Sequence, residues 1–239
     1  MAKKIRTWKV IILSLCIILE IGCAALRPKE DKEKTDDFLY RAGDLIEKRC
    51  AYWQKFEAQF SLKFNAPYDP NRYLLSYYQD HDRLRIDLIS LWGNTIAVLI
   101  IKPQKVTLWL PARKTVYITS NANNLLSRLA GIEGHVTDIL PMVTGCISSQ
   151  MGQSVQVLST KSEGLDLVSL KLKQNDRIWE IVYSPPLSLA VVEKLPKIIR
   201  IHSLDSDINL ELRRATKQDV MSSNKFEISY PNGTSVIEL

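Results

Sequence analysis

The sequence predicts an α+β fold, a strongly curved antiparallel sheet with an N-terminal helix and short lid helices over one side. Three observations lead there. Segments in which apolar and polar residues alternate recur along most of the chain. Helical spacing is confined to one stretch near the start and one interval in the middle. No segment shows the strand–helix–strand rhythm that a parallel sheet requires.

The chain opens on Lys3, Lys4, Arg6 and Lys9, followed by an almost unbroken apolar run from Val10 to Leu19 and small residues around Cys23. That order is the pattern of an export signal. Ten apolar helical residues cover about 15 Å, roughly half the hydrocarbon thickness of a bilayer, so the run predicts a removable signal over residues 1–22 and not a permanent span. Ordinary secretion with cleavage after an alanine near Ala25 is the alternative. Residues 23–37 come next. From Leu26 to Asp37 they are nearly all charged or polar, including Lys29-Glu30-Asp31-Lys32-Glu33-Lys34, and predict a flexible tether. The folded domain is expected over residues 38–239, about 200 residues and enough for one core.

Thr35, as a helix N-cap, followed by Phe38, Leu39, Ala42, Leu45 and Ile46 predicts an amphipathic helix opening the domain. Strands follow. In Phe56-Glu57-Ala58-Gln59-Phe60-Ser61-Leu62-Lys63-Phe64 every even position is apolar, the period of a half-buried antiparallel strand. Leu84, Ile86 and Leu88 repeat the pattern; Thr95 to Ile101 is apolar on both faces; Val106, Leu108 and Leu110 alternate again, and Val116 to Ile118 ends the group. A helical interval then carries Leu125, Leu126 and Leu129 on one face. After a break from Gly131 to Gly134 comes a second short element with Ile139, Leu140 and Val143, kinked or shortened by Pro141. Strands resume at Val168, Leu170 and Leu172, then Trp179, Ile181 and Tyr183, then Ile199 and Ile201, then Ile208, Leu210 and Leu212. Phe226 and Ile228 are expected in a last strand pair turning at Asn232-Gly233.

The formal charge is +6, but residues 1–22 hold four cations and one anion, so the remainder carries +3. Nucleic-acid binding is not indicated. His81, His135 and His202 stand far apart without a second ligand at metal spacing, so no metal is expected. Nucleophile-elbow, phosphate-loop and metalloprotease motifs are absent, and neither a catalytic residue nor a cofactor is predicted. The acidic pairs Asp36-Asp37 and Asp80/Asp82 are expected as solvated loop positions. With the signal removed and Cys23 modified, Cys50 and Cys146 remain, either as free thiols or as a pair in an oxidising periplasm.

Several segments carry a resemblance. Leu19-Glu20-Ile21-Gly22-Cys23 is similar to a bacterial lipobox, with Gly22 before the cysteine that would receive lipid and Glu20 where an aliphatic residue is usual. Arg83 to Thr95 resembles the third and fourth strands of the outer-membrane lipoprotein receptor LolB and its relatives. In that family the hairpin ends in a protruding loop with a bulky aliphatic residue before a glycine, and here Leu91, Trp92 and Gly93 hold that place. Leu125 to Gly131 and Ile139 to Gly145 are similar to its two lid helices. Arg177 to Tyr183 resembles its tryptophan-bearing strand, and Leu195 to Ile201 the strand entered through a proline.

The resemblance implies an open half-barrel closed on one side by helices. It also implies a lipoprotein anchored in the outer membrane through Cys23 and facing the periplasm, since Ala24 and not Asp follows the cysteine. Its partners would be acylated lipoprotein cargo and a LolA-type periplasmic carrier, and a monomer is expected. Each buried methylene of an acyl chain gains about 0.8 kcal/mol, so a sixteen-carbon chain is worth on the order of 10 kcal/mol in an apolar cavity. Phe60, Leu62, Ile86, Leu88, Leu108, Leu126, Leu129, Ile139 and Val143 are the candidate cavity residues, and Leu91, Trp92 and Gly93 the candidate membrane-inserting loop. The alternative is a structural or adaptor lipoprotein of an envelope complex using the same fold.

Overall fold

A computed structural model describes residues 30–64, 72–120, 140–147, 155–174, 177–203 and 207–239. Helix α1, Glu30–Tyr52, opens the fold. It runs through residues expected to be a tether, where Glu30, Lys32, Glu33 and Lys34 are good helix formers once the apolar stripe behind them is docked. Thr35 is accordingly no N-cap. It lies buried within the helix, where its hydroxyl accepts a hydrogen bond from the Thr160 backbone amide at 3.0 Å. Phe38, Ala42, Ile46, Arg49 and Trp53 continue the stripe at helical spacing, all of them buried.

Among the described residues twelve strands form a single sheet: β1 Lys55–Phe64, β2 Arg72–Asp80, β3 Arg83–Ser90, β4 Thr95–Lys102, β5 Lys105–Leu110, β6 Thr115–Thr119, β7 Val155–Glu163, β8 Asp166–Gln174, β9 Arg177–Ser188, β10 Ile198–His202, β11 Asp207–Lys217 and β12 Ser235–Glu238. Their order is β12-β6-β5-β4-β3-β2-β1-β11-β10-β9-β8-β7, so β1 and β11 join two meanders and the sheet stays open between edges β12 and β7. Every pairing is antiparallel except β12 with β6. This is the open half-barrel. The register shifts between Gln59 and Phe60, between Leu88 and Ile89, and at two points along β7, and such bulges bend a sheet.

The inward alternation of β1 is as the sequence implies, with Phe56, Ala58, Phe60 and Leu62 buried. In β8 a register shift skips Val168, so Leu167 takes the fully buried place that spacing from Leu170 and Leu172 would have given to Val168. The expected terminal hairpin does not form. Phe226 lies in the 3-10 helix Ser223–Phe226, and β12 crosses to pair in parallel with β6, Val236 opposite Val116. This C-terminal segment explains why β4 is apolar on both faces: Val98 and Ile100 pack outward against Met221 and Phe226, while Leu99 packs inward with Val106 and Leu108.

Asp80 is buried, and not a solvated loop carboxylate. Burial pushes its pKa up, but hydrogen bonds with His81 and Arg83 and the charges of Arg83 and Lys55 outweigh it and hold the carboxyl below its ordinary value.

Candidate functional site

The two ends of the half-barrel differ. At the end where α1 finishes, Arg49 is wholly covered, with 0 % of its surface exposed, and donates to five backbone carbonyls. Its Nε reaches Thr144, its Nη1 reaches Ser188 at 3.3 Å, Val191 at 3.1 Å and Val192 at 3.3 Å, and its Nη2 reaches Lys194. Burial pushes its pKa down to about 10, partly countered by Tyr183. Trp53 donates from Nε1 to the Val192 carbonyl at 2.7 Å.

The 3-10 helix Leu140–Thr144 is the described part of the second element expected from Ile139 to Gly145. The Tyr183 hydroxyl donates to its Met142 carbonyl at 2.9 Å, and Cys50 forms a disulfide with Cys146, Cα atoms 5.0 Å apart. Gly145 sits between these ties with φ +75°. A Cβ there would lie 2.2 Å from Leu187 Cδ2 and 3.1 Å from Arg49 Nε, so only glycine fits. This end is closed and cross-tied.

The opposite end carries the β3–β4 hairpin. Its turn is held by Ser90 N to Asn94 O at 2.8 Å, Gly93 N to Ser90 O at 3.0 Å and Asn94 N to Ser90 Oγ at 3.1 Å. Gly93 takes φ +82°, the conformation that ends such a turn without steric cost. Leu91 and Trp92 are left 70 % and 91 % exposed on a tip that projects from the sheet and does not fold back onto the rim.

Between the ends, the candidate cavity residues divide into three groups. Phe60, Leu62 and Val143 are buried in the main cluster with Phe38, Ile46 and Trp179, a closed core. Ile86 and Leu88 remain half-buried, and Leu108 joins Leu99 and Val106 in a separate inward cluster edged by Leu110 and Tyr117. Register places Ile86 beside Leu99, Leu99 beside Leu108 and Leu108 beside Tyr117, so the inner face of β3 to β6 is one continuous apolar floor. Leu126, Leu129, Ile139 and the first lid helix expected from Leu125 to Gly131 fall outside the described residues, as does Cys23.

A cleft of about 470 Å³ opens between α1 and β7, lined by Leu39, Gly43, Ile46, Cys50, Ile147 and Val157, a size within the range of small-molecule sites. Sequence reasoning missed it, because β7 loses its period-2 signal at the register shift beyond Val157. Leu39 was legible only as part of the helix stripe. Among the described residues no three His, Cys, Asp or Glu side chains gather as a metal site, and no helix is long and apolar enough to cross a membrane.

No family model matches the chain, and no curated protein matches it in sequence. In fold it is similar to a domain assigned as an outer membrane lipoprotein-sorting protein from Vibrio parahaemolyticus, with a TM-score of 0.50 and 12% identity over 81% of this chain and 96% of that one. An uncharacterized conserved protein from Thermus thermophilus aligns with a TM-score of 0.44 and 9% identity over 83% of this chain and 99% of that one. A DUF1329 family protein from Desulfovibrio piger gives 0.46 and 10% over 79% and 97%. At such identities the likeness is one of fold.

Proposed function

We propose that the protein is a lipoprotein of the outer membrane that receives acylated lipoproteins from a LolA-type periplasmic carrier and inserts them into the bilayer, without covalent chemistry. The observation that carries this reading is the hairpin tip, where Leu91 and Trp92 project into solvent beyond an apolar inner face. Tryptophan suits the membrane interface, where one part of the ring is in an apolar layer and the other is wet. The apolar floor of β3 to β6, with Ile86, Leu88 and Leu108, would shelter acyl chains on the side nearest the hairpin. A disulfide between Cys50 and Cys146 fits an oxidising compartment outside the cytoplasm. Residues 1–22 would be the export signal and Cys23 the lipidated residue.

The test is Trp92→Glu. It should leave melting temperature and acyl binding unchanged while stopping transfer of a lipoprotein from the carrier into liposomes; unimpaired transfer would remove the hairpin from the mechanism. Mass spectrometry of the mature N-terminus should find Cys23 diacylated or triacylated, and an unmodified terminus further along would sink the anchor.

A second reading, an adaptor in an envelope complex, is favoured by the half of the barrel around β1 and β8 to β11. Phe60, Leu62, Leu170, Leu172, Ile181 and Ile199 fill that half with side chains. Fatty acyl mass co-purifying with the detergent-extracted protein supports the carrier reading; a persistent protein partner with no acyl mass supports the adaptor.

A further inference from the structure

We infer that the hairpin end of the half-barrel docks on a bilayer bearing anionic headgroups, through Lys63, Arg72, Arg113 and Lys114 set around the Leu91–Trp92 tip. The inference rests on reading that hairpin as a membrane-entering loop, and it adds the chemistry of the surface the loop selects.

Topology brings the four cations to one end. Lys63, next to last in β1, lies directly opposite Arg72, the first residue of β2. Tyr73 is opposite Ser90, so Arg72 stands beside the root of the hairpin turn. Arg113 and Lys114 belong to the β5–β6 connection, which lies at the same end because β3 and β5 run in the same direction on either side of β4. All four are exposed, and none forms an ion pair with a described residue. No Asp or Glu occurs among the described residues of the three connections at this end of β1 to β6. Asp69, outside the described residues, is the one acid in those stretches of sequence.

Two of these placements run against local preference. Like charges directly opposite on paired strands repel, and on its other side Lys63 faces Asn209, which offers no compensating charge. Lys114 takes φ 48°, a left-handed conformation where glycine or asparagine is the ordinary choice. Three hydrogen bonds hold it there: Lys114 N to Pro111 O at 2.9 Å, Ser235 N to Lys114 O at 2.8 Å, and Thr115 Oγ1 to Arg113 O at 2.8 Å. A strained, well-anchored turn that presents a cation is more readily a working feature than an accident of packing. In the other half of the sheet, acids and bases stand side by side near this end, Asp207 of β11 opposite His202 of β10 and Glu180 of β9 opposite Lys171 of β8.

An exposed indole with a leucine beside it, ringed by unpaired Lys and Arg on the same end, matches a bilayer whose headgroups are negative. The tip enters the interface while the cations meet the headgroups, each worth about fivefold in binding near such a surface. The full chain would be reconstituted in vesicles of phosphatidylcholine alone or mixed with phosphatidylglycerol, and acetylation rates of single lysines followed by mass spectrometry. Lys63 and Lys114 should react on the order of tenfold more slowly in the anionic vesicles, with Lys105 at the far end unaffected and the difference abolished by high salt. In Arg72→Gln/Arg113→Gln most of that protection should vanish. Equal rates for Lys63 and Lys114 in the two vesicle types, or protection untouched by the double substitution, overturns the inference. Quenching of Trp92 fluorescence by brominated lipid reads the hairpin separately. Protected lysines with an unquenched Trp92 leave the docking surface standing and reject the insertion loop.

Discussion

Arg49 brings a guanidinium into the interior with no carboxylate beside it among the described residues, and five carbonyls take the place of a counterion. The planar fork matters more than the charge, since it reaches several carbonyls at once and an ammonium does not. Arg49→Ala strands buried carbonyls and should cost on the order of 3–5 kcal/mol by urea denaturation, with Arg49→Lys intermediate; a Lys variant as stable as the parent would refute the fork. Asp80 gives a pH-dependent case. Its folded carboxyl titrates below the unfolded value, so its contribution is present above about pH 4 and is lost as pH falls through the folded pKa. The stability gap between the parent and Asp80→Asn should therefore shrink on acidification, and a gap constant from neutral pH to about pH 3 would contradict the assignment. Neither role was legible in the sequence. Arg49 reads there as one more charge near a helix end, and Asp80 as one of several acids in a polar turn.

At the scale of elements, the junction of α1 with the 3-10 helix Leu140–Thr144 is tied by a disulfide between residues 96 apart in sequence. Closing a loop of that length restricts the unfolded chain by about 4–5 kcal/mol in the chain-entropy account. Cys50→Ser/Cys146→Ser should lower unfolding free energy by a few kcal/mol, and reduction of the parent should reproduce the loss; an unchanged denaturation midpoint would show that the hydrogen bonds of Arg49, Trp53 and Tyr183 suffice. Strand legibility followed period-2 alternation. β1, β3, β5, β9, β10 and β11 are marked by it, whereas Tyr73-Leu74-Leu75-Ser76-Tyr77-Tyr78 in β2 is apolar on both faces and gives no alternation to read. β7 loses the pattern at its register shift, and an edge strand with one partner needs little apolar surface to hold it.

For the molecule as a whole, the C-terminal segment acts as an outer cover. Met221, Phe226 and Ile228 shield Val98, Ile100 and Trp109 on the convex face, and β12 covers the edge of β6. Ending the chain at Lys217 should expose that face and leave a bare sheet edge. The expected result is aggregation, or dye binding to apolar surface, together with a lower melting temperature. Soluble protein with the parent melting curve would mean the segment is dispensable. The same segment braces the Arg113–Lys114 turn through Ser235, so its removal should also weaken lipid-dependent protection of Lys114.

The fold class was legible residue by residue, because alternation and helical spacing are local and each strand or helix writes its own buried face. The Leu91–Trp92 tip was singled out by its resemblance to a family hairpin and not by periodicity, and its exposure came from the fold. Which apolar residues join the main core and which the smaller inward cluster of Leu99, Val106 and Leu108 emerged only on folding. So did the outward packing of the tail, which does not turn back as a hairpin, and the gathering of Lys63, Arg72, Arg113 and Lys114 at one end. Those outcomes depend on register, bulges and strand order, which bring together residues from separate strands and which no single segment of sequence contains.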